Sequence, residues 1–72
     1  MAVVKVIEII AQSEKSWEDA ARAGLQEAAK TIHGIQSIWI KDMQAVVKED
    51  KIVQYRLNAK ISFVVNDQRN KK

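Results

Sequence analysis

The chain has 72 residues, no Cys, 12 Lys+Arg against 9 Asp+Glu and a formal net charge of +3, which excludes disulfides, Cys-based zinc sites and thiol catalysis together. No apolar run approaches the roughly 18 residues of a bilayer span, and the start lacks the basic stretch and small-residue cleavage site of a secretory signal, so a cytoplasmic protein with no membrane role is expected. A single domain this small buries only about 60% of the surface its unfolded chain exposes, and without staples it is expected to gain stability by oligomerising.

Val3–Ala11 reads as β1, apolar except for Lys5 and Glu8, which point to opposite faces. Gln12–Lys15 is a polar connection. Ser16 is a good N-cap, with Asp19 three residues on in place of the Glu of a capping box and Glu18 at the positive end of the helix dipole. From Trp17 to Ile32 the apolar positions Trp17, Ala20, Ala21, Leu25, Ala28 and Ile32 recur at three- and four-residue steps, so one stripe faces a sheet. Glu18 and Arg22 lie four apart in the favourable order. Gly34 can end the helix in the left-handed C′ conformation.

Ile35–Val47 reads as β2 and Ile52–Val65 as β3, joined at Glu49-Asp50 into one long hairpin. In β3 the odd positions Val53 to Val65 are apolar, while Gln54, Arg56, Asn58, Lys60 and Ser62 are polar, the period-2 pattern of a strand with one face on a core. A two-residue loop places Met43 opposite Arg56, Lys41 opposite Asn58, Trp39 opposite Lys60 and Ser37 opposite Ser62. Glu-Asp suits a primed turn poorly, and a longer, bulged loop would shift these pairs by one. With a right-handed crossover through the helix, the strands form one antiparallel sheet with β3 central. The helix covers the face of Leu57, Ile61 and Phe63, leaving Trp39, Lys41, Met43, Arg56 and Lys60 on the other. β1 and β2 are apolar on both sides, and one helix covers only one; further copies of the chain are expected to cover the second. The whole of residues 1–72 reads as one domain, with 1–2 and 66–72 as flexible ends. The tail Arg69-Asn70-Lys71-Lys72 reads as a solubilising end rather than a nucleic-acid arm.

Signals of catalysis are weak. The sole histidine, His33, reads as a cation in the last helical turn. Ser13 and Ser16 have turn and cap duties, Glu49 and Asp50 are carboxylates at a loop tip, and two glycines, Gly24 and Gly34, make no phosphate loop. Trp17 begins the helical stripe and reads as core. Trp39, on the face a monomer would leave wet, reads first as an interface anchor, for which Trp is enriched. The sharper alternative is a stacking platform for a planar ligand, with Arg56 or Lys60 holding an anionic group.

The segments Lys5-Val6-Ile7-Glu8-Ile9, Ser16-Trp17-Glu18-Asp19-Ala20-Ala21, Lys30-Thr31-Ile32, Trp39-Ile40-Lys41-Asp42, Tyr55-Arg56-Leu57 and Lys60-Ile61-Ser62-Phe63 together resemble the dodecin family over nearly the whole stretch from Val3 to Val65. That resemblance implies an α+β, β-α-β-β chain whose curved three-stranded sheet wraps one helix, twelve copies forming a hollow shell. It also implies a non-enzymatic, flavin-sequestering role with FMN or riboflavin as ligand, stacked on a β2 tryptophan and held through a β3 glutamine. On alignment those two signature positions fall on Ser37 and Arg56, so both have changed. Trp39 lies two residues beyond Ser37, displaced by about 6.6 Å along the strand. This departure resembles the subgroup without the stacking tryptophan, calcium dodecin among them. The expected candidate ligand-binding residues are therefore Ser37, Trp39 and Arg56, with flavin affinity weak or lost; a shell for a different ligand, such as a cation or an anionic nucleotide-like molecule, is the alternative.

Overall fold

A computed structural model describes residues 3–65; the ends, and with them the expected flexible termini and the basic tail, lie outside the described residues. The element order is β1 (Val3–Ser13), α1 (Trp17–Ala29), β2 (Ile35–Lys48) and β3 (Lys51–Val65). The strands form one antiparallel sheet in the order β1-β3-β2, with β3 central as expected from the crossover through the helix. Leu57, Ala59 and Ile61 are buried on its odd face, and the core cluster of Ala11, Ala20 and Leu57 is flanked by Ile9, Trp17, Ala21 and Ile40. Trp17 is part of that core, its ring packed edge-on against Tyr55 and its Nε1 donating to the Gln44 carbonyl at 3.1 Å.

Ser16 caps α1 as its residue type predicts, its hydroxyl accepting from the Asp19 amide at 3.0 Å. Asp19 does not complete a capping box. Its Oδ2 accepts instead from the Ser13 hydroxyl at 2.7 Å, and Ser13 Oγ in turn accepts from the Lys15 amide, which ties the end of β1 to the first turn of the helix. Glu18 and Arg22 pair at 3.3 Å. Gly24, absent from the expected stripe, is buried, because a Cβ there would sit 3.0 Å from the Ala11 methyl and 3.1 Å from Ile9 Cδ1. Its missing side chain lets the helix lie close to β1.

The helix stops at Ala29, not at Ile32, and His33 therefore lies beyond the last turn rather than capping it. The apolar spacing continues through Ile32 although the backbone has already left the helix. Gly34 does take a left-handed φ of +79°, but as the entry to β2: its carbonyl accepts from the Val64 amide, and an added Cβ would approach the Val64 carbonyl oxygen to 3.3 Å.

The hairpin closes with two residues after all, Lys48 opposite Lys51, because Glu49 and Asp50 both accept left-handed φ values of 53° and 66°. Ser37 opposite Ser62 and Trp39 opposite Lys60 agree with the expected register. Between them and the turn the pairing is displaced by one residue. Val53 is an extra residue in β3 and Lys41 an extra one in β2, so Arg56 pairs with Gln44, Asn58 with Asp42 and Met43 with Leu57. The two bulges cancel. One consequence matters for the site: Met43 shares the helix side of the sheet with Leu57, and does not lie beside Trp39 as the unbulged register would have it.

Candidate functional site

Cross-strand partners share a face, so the even positions of β3 assemble the surface away from the helix. Along it run four rows, each crossing β1, β3 and β2: Val6–Ser62–Ser37, Glu8–Lys60–Trp39, Ile10–Asn58–Asp42 and Gln12–Arg56–Gln44. Ser37, Trp39 and Arg56 thus share one face, with Trp39 between the other two.

Their surroundings differ. The Ser37 and Ser62 hydroxyls lie 2.6 Å apart and engage each other. Trp39 keeps 65% of its surface exposed, with the Lys60 ammonium 5.5 Å from the centre of its ring, within cation–π range. Arg56 is half-buried and donates through Nε to Gln12 Oε1 at 3.0 Å; among the described residues it forms no ion pair.

Three further residues complete the face: Lys41, a candidate only for the alternative ligand, and Glu8 and Asn58, which drew no attention as site residues. Lys41, thrown out by the β2 bulge, reaches over β3 to Glu8, Nζ to Oε2 3.2 Å. The hydrogen bond and charge of Lys41 hold the Glu8 carboxyl below its ordinary value against a modest desolvation, with help from the Asn58 amide and Lys60. Asn58 is the third. Its side-chain oxygen is buried and accepts no hydrogen bond, and the residue borders a small cleft of about 90 Å³ whose lining includes Ile10, Asp42, Gln44 and Arg56. An Asn midway along a strand, where that residue type is disfavoured, was the signal available in the sequence.

Of the larger clefts, one of about 510 Å³ is lined by Arg56 with Gln54, Val46 and Glu14, and others lie away from this face. One of about 430 Å³ runs between β1 and α1, lined by Ile9, Ala23, Gly24 and Ala28 among others, and another of about 530 Å³ lies around His33 and Ile38. No group of three or more His, Asp or Glu side chains among the described residues is placed to hold a metal ion, and no described helix is long and apolar enough to cross a membrane.

Comparison with known proteins agrees with this architecture. Calcium dodecin from Mycobacterium tuberculosis is 33% identical over 63 residues, covering 88% of this chain and 89% of that protein. A crystal structure of the same relative, described as calcium chelating with a novel calcium-binding site, matches with a TM-score of 0.80 at 30% identity over 92% of this chain and 94% of that one. An arginine-to-alanine variant of the Thermus thermophilus dodecin matches with a TM-score of 0.86 at 24% identity, over 92% and 98% of the two chains. That last likeness is one of fold. The family model for dodecin matches residues 3–66, nearly the whole of the sheet and helix just described, and the chain belongs to the dodecin family.

Proposed function

We propose that the chain is the subunit of a non-enzymatic, cytoplasmic, homododecameric shell that binds and stores a small molecule, of the flavin-sequestering type but with the usual stacking position given up. The observation that carries this reading is the Ser37–Ser62 hydroxyl pair. It occupies the row where family resemblance puts the ring that stacks on FMN or riboflavin, and two hydroxyls offer no π-face. Arg56 at the position of the family's glutamine alters the second contact. Weak or absent flavin affinity at that row follows.

Assembly is supported by how little a lone chain buries. Leu57 and Ile61 are the only large side chains fully enclosed among the described residues, whereas Val6, Ile10, Met43 and Val47 are each more than half exposed. Burying such surface contributes roughly 25 cal/mol per Å², and sheet faces and apolar grooves left open at this density are characteristic of surfaces that meet a partner.

A cation-storing shell is the second reading, favoured by the likeness to calcium dodecin. Calcium takes six to eight oxygens, so ligands would have to converge from several copies.

Native mass together with the absorbance spectrum of the purified protein tests the proposal. A colourless assembly of about twelve times the 8.2 kDa chain mass is expected. A stable monomer or dimer at micromolar concentration overturns it, and a yellow preparation with quenched flavin fluorescence shows that the stacking function was kept.

A further inference from the structure

The β2–β3 hairpin outruns the rest of the sheet. β1 pairs with β3 only as far as Ser13 opposite Tyr55, so from Val46 and Gln54 to the Glu49-Asp50 turn the hairpin is a two-stranded arm. Val46, Val47, Ile52 and Val53 lie on that arm outside the core cluster, and Val47 and Ile52 are each more than half exposed. A two-stranded ribbon is marginal in water on its own, and this one carries apolar side chains that its own chain leaves open.

At the root of the arm, the cleft of about 510 Å³ sets Val53, Gln54 and Arg56 of β3 and Val46 and Lys48 of β2 around one hollow with Glu14, the residue that follows β1. Arg56 and Glu14 carry opposite charges there, yet neither forms an ion pair among the described residues. Arg56 is held ready. Gln12 Oε1 accepts from its Nε at 3.0 Å, which fixes the guanidinium and leaves both terminal nitrogens, the fork that a carboxylate fits. Glu14 in the same hollow opposes a free anion, whereas it completes a contact with a second copy.

We propose that this cleft and the root of the arm form a two-fold contact between two copies of the chain, joined by reciprocal Arg56–Glu14 ion pairs. A surface with an unpaired cation and an unpaired carboxylate is complementary to its own copy turned through a two-fold. Arg56 of one copy meets Glu14 of the other, and the reverse, so neither group is left over. Val46 and Val53 of both copies then close around the pairs and exclude water, which strengthens them. The contact rests on the many-copy shell proposed above and adds where two of its copies meet and which residues hold them.

The test is complementation between two charge-reversed chains, read by native mass and melting temperature. Arg56→Glu and Glu14→Arg should each lose the wild-type assembly at micromolar concentration, because like charges then face each other twice across the two-fold. Mixed in equal amounts or refolded together they should recover it, with both chains present in equal number. An ion pair within one chain gives no such recovery. The neutral variants Arg56→Gln and Glu14→Gln should keep the native mass with lowered melting temperatures, and their combination should fall no further than either alone. If a reversed chain fails to fold by itself, co-refolding and the neutral pair carry the test. Wild-type mass in both reversed chains overturns the contact and leaves the cleft to a free anion. A mixture that stays apart overturns it too, and a double reversal in one chain that assembles then places the pair within the chain. Additive losses in the neutral pair likewise overturn it. A monomeric wild type overturns the shell and the contact together, whereas any of these results with an assembled wild type overturns the contact alone.

Discussion

Lys41 of β2 reaches across the central strand to Glu8 of β1, Nζ to Oε2 3.2 Å, and so fastens the two edge strands of the sheet to each other over the top of β3. In the unbulged register Lys41 would stand opposite Asn58; as the extra residue of the bulge it has no partner in β3, and its side chain spans to β1.

The pair makes stability pH-dependent in a defined direction. Glu8 has its folded-state pKa lowered, first by the hydrogen bond from Lys41 and then by its charge. A depressed carboxylate contributes stability above its unfolded pKa and loses it as pH falls through the folded value. Acid titration from pH 7 to pH 3 should therefore lower the melting temperature of the wild type more than that of Glu8→Gln. The two curves should converge at the acid end. Equal slopes for both proteins would show that the Lys41 contact carries no linkage.

The central strand, the hairpin and the Ser16 cap were legible in the residues, because period-2 alternation and side-chain capping are local properties. Ser37 opposite Ser62 and Trp39 opposite Lys60 followed from counting back from Glu49-Asp50. The paired bulges at Lys41 and Val53 were not legible: each adds one residue to one strand, no residue type demands it, and together they restore the register on both sides. That hidden segment holds Met43, Asp42 and Gln44, which is why the partners of Arg56 and Asn58 had to come from the structure. The early helix end has a similar origin. Ile32 keeps the apolar spacing of α1, so periodicity alone does not reveal that the backbone turns at Lys30.

The turn offers a test of backbone strain. Glu49 and Asp50 both sit at positive φ, where Asn-Gly is the favoured pair and a Glu is strained. Glu49→Asn with Asp50→Gly should stabilise the protein by about 1–2 kcal/mol, read as a raised melting temperature at unchanged native mass. No rise would mean that the turn conformation is relieved in solution.

The altered family site can be rebuilt. Ser37→Trp with Arg56→Gln restores an aromatic ring and an amide in the positions where resemblance places them, replacing the Ser37–Ser62 hydroxyl pair. Riboflavin, which has no phosphate for Arg56 to hold, is the discriminating ligand. The double variant should bind it and quench its fluorescence while keeping the wild-type native mass, with a gain of about 1–3 kcal/mol per stacked ring by analogy with bases on aromatic side chains. An assembled variant with no gain would mean that the Ser37 row is not the displaced flavin position.

Trp39 separates two roles that make opposite demands on stability. As an anchor between copies, its truncation to Ala should cost roughly the 3–5 kcal/mol of a buried aromatic, whether or not ligand is present. As a stacking platform, with the Lys60 ammonium 5.5 Å from its ring centre, it contributes little to the empty shell. The unbulged register favoured the anchor by placing Met43 nearby; the observed pairing of Met43 with Leu57 removes that packing partner. Wild type and Trp39→Ala should therefore melt at closely similar temperatures without ligand, and excess FMN should raise the melting temperature of the wild type alone, by mass action. A large drop in the unliganded variant, with no FMN-induced shift in either protein, would return Trp39 to the interface.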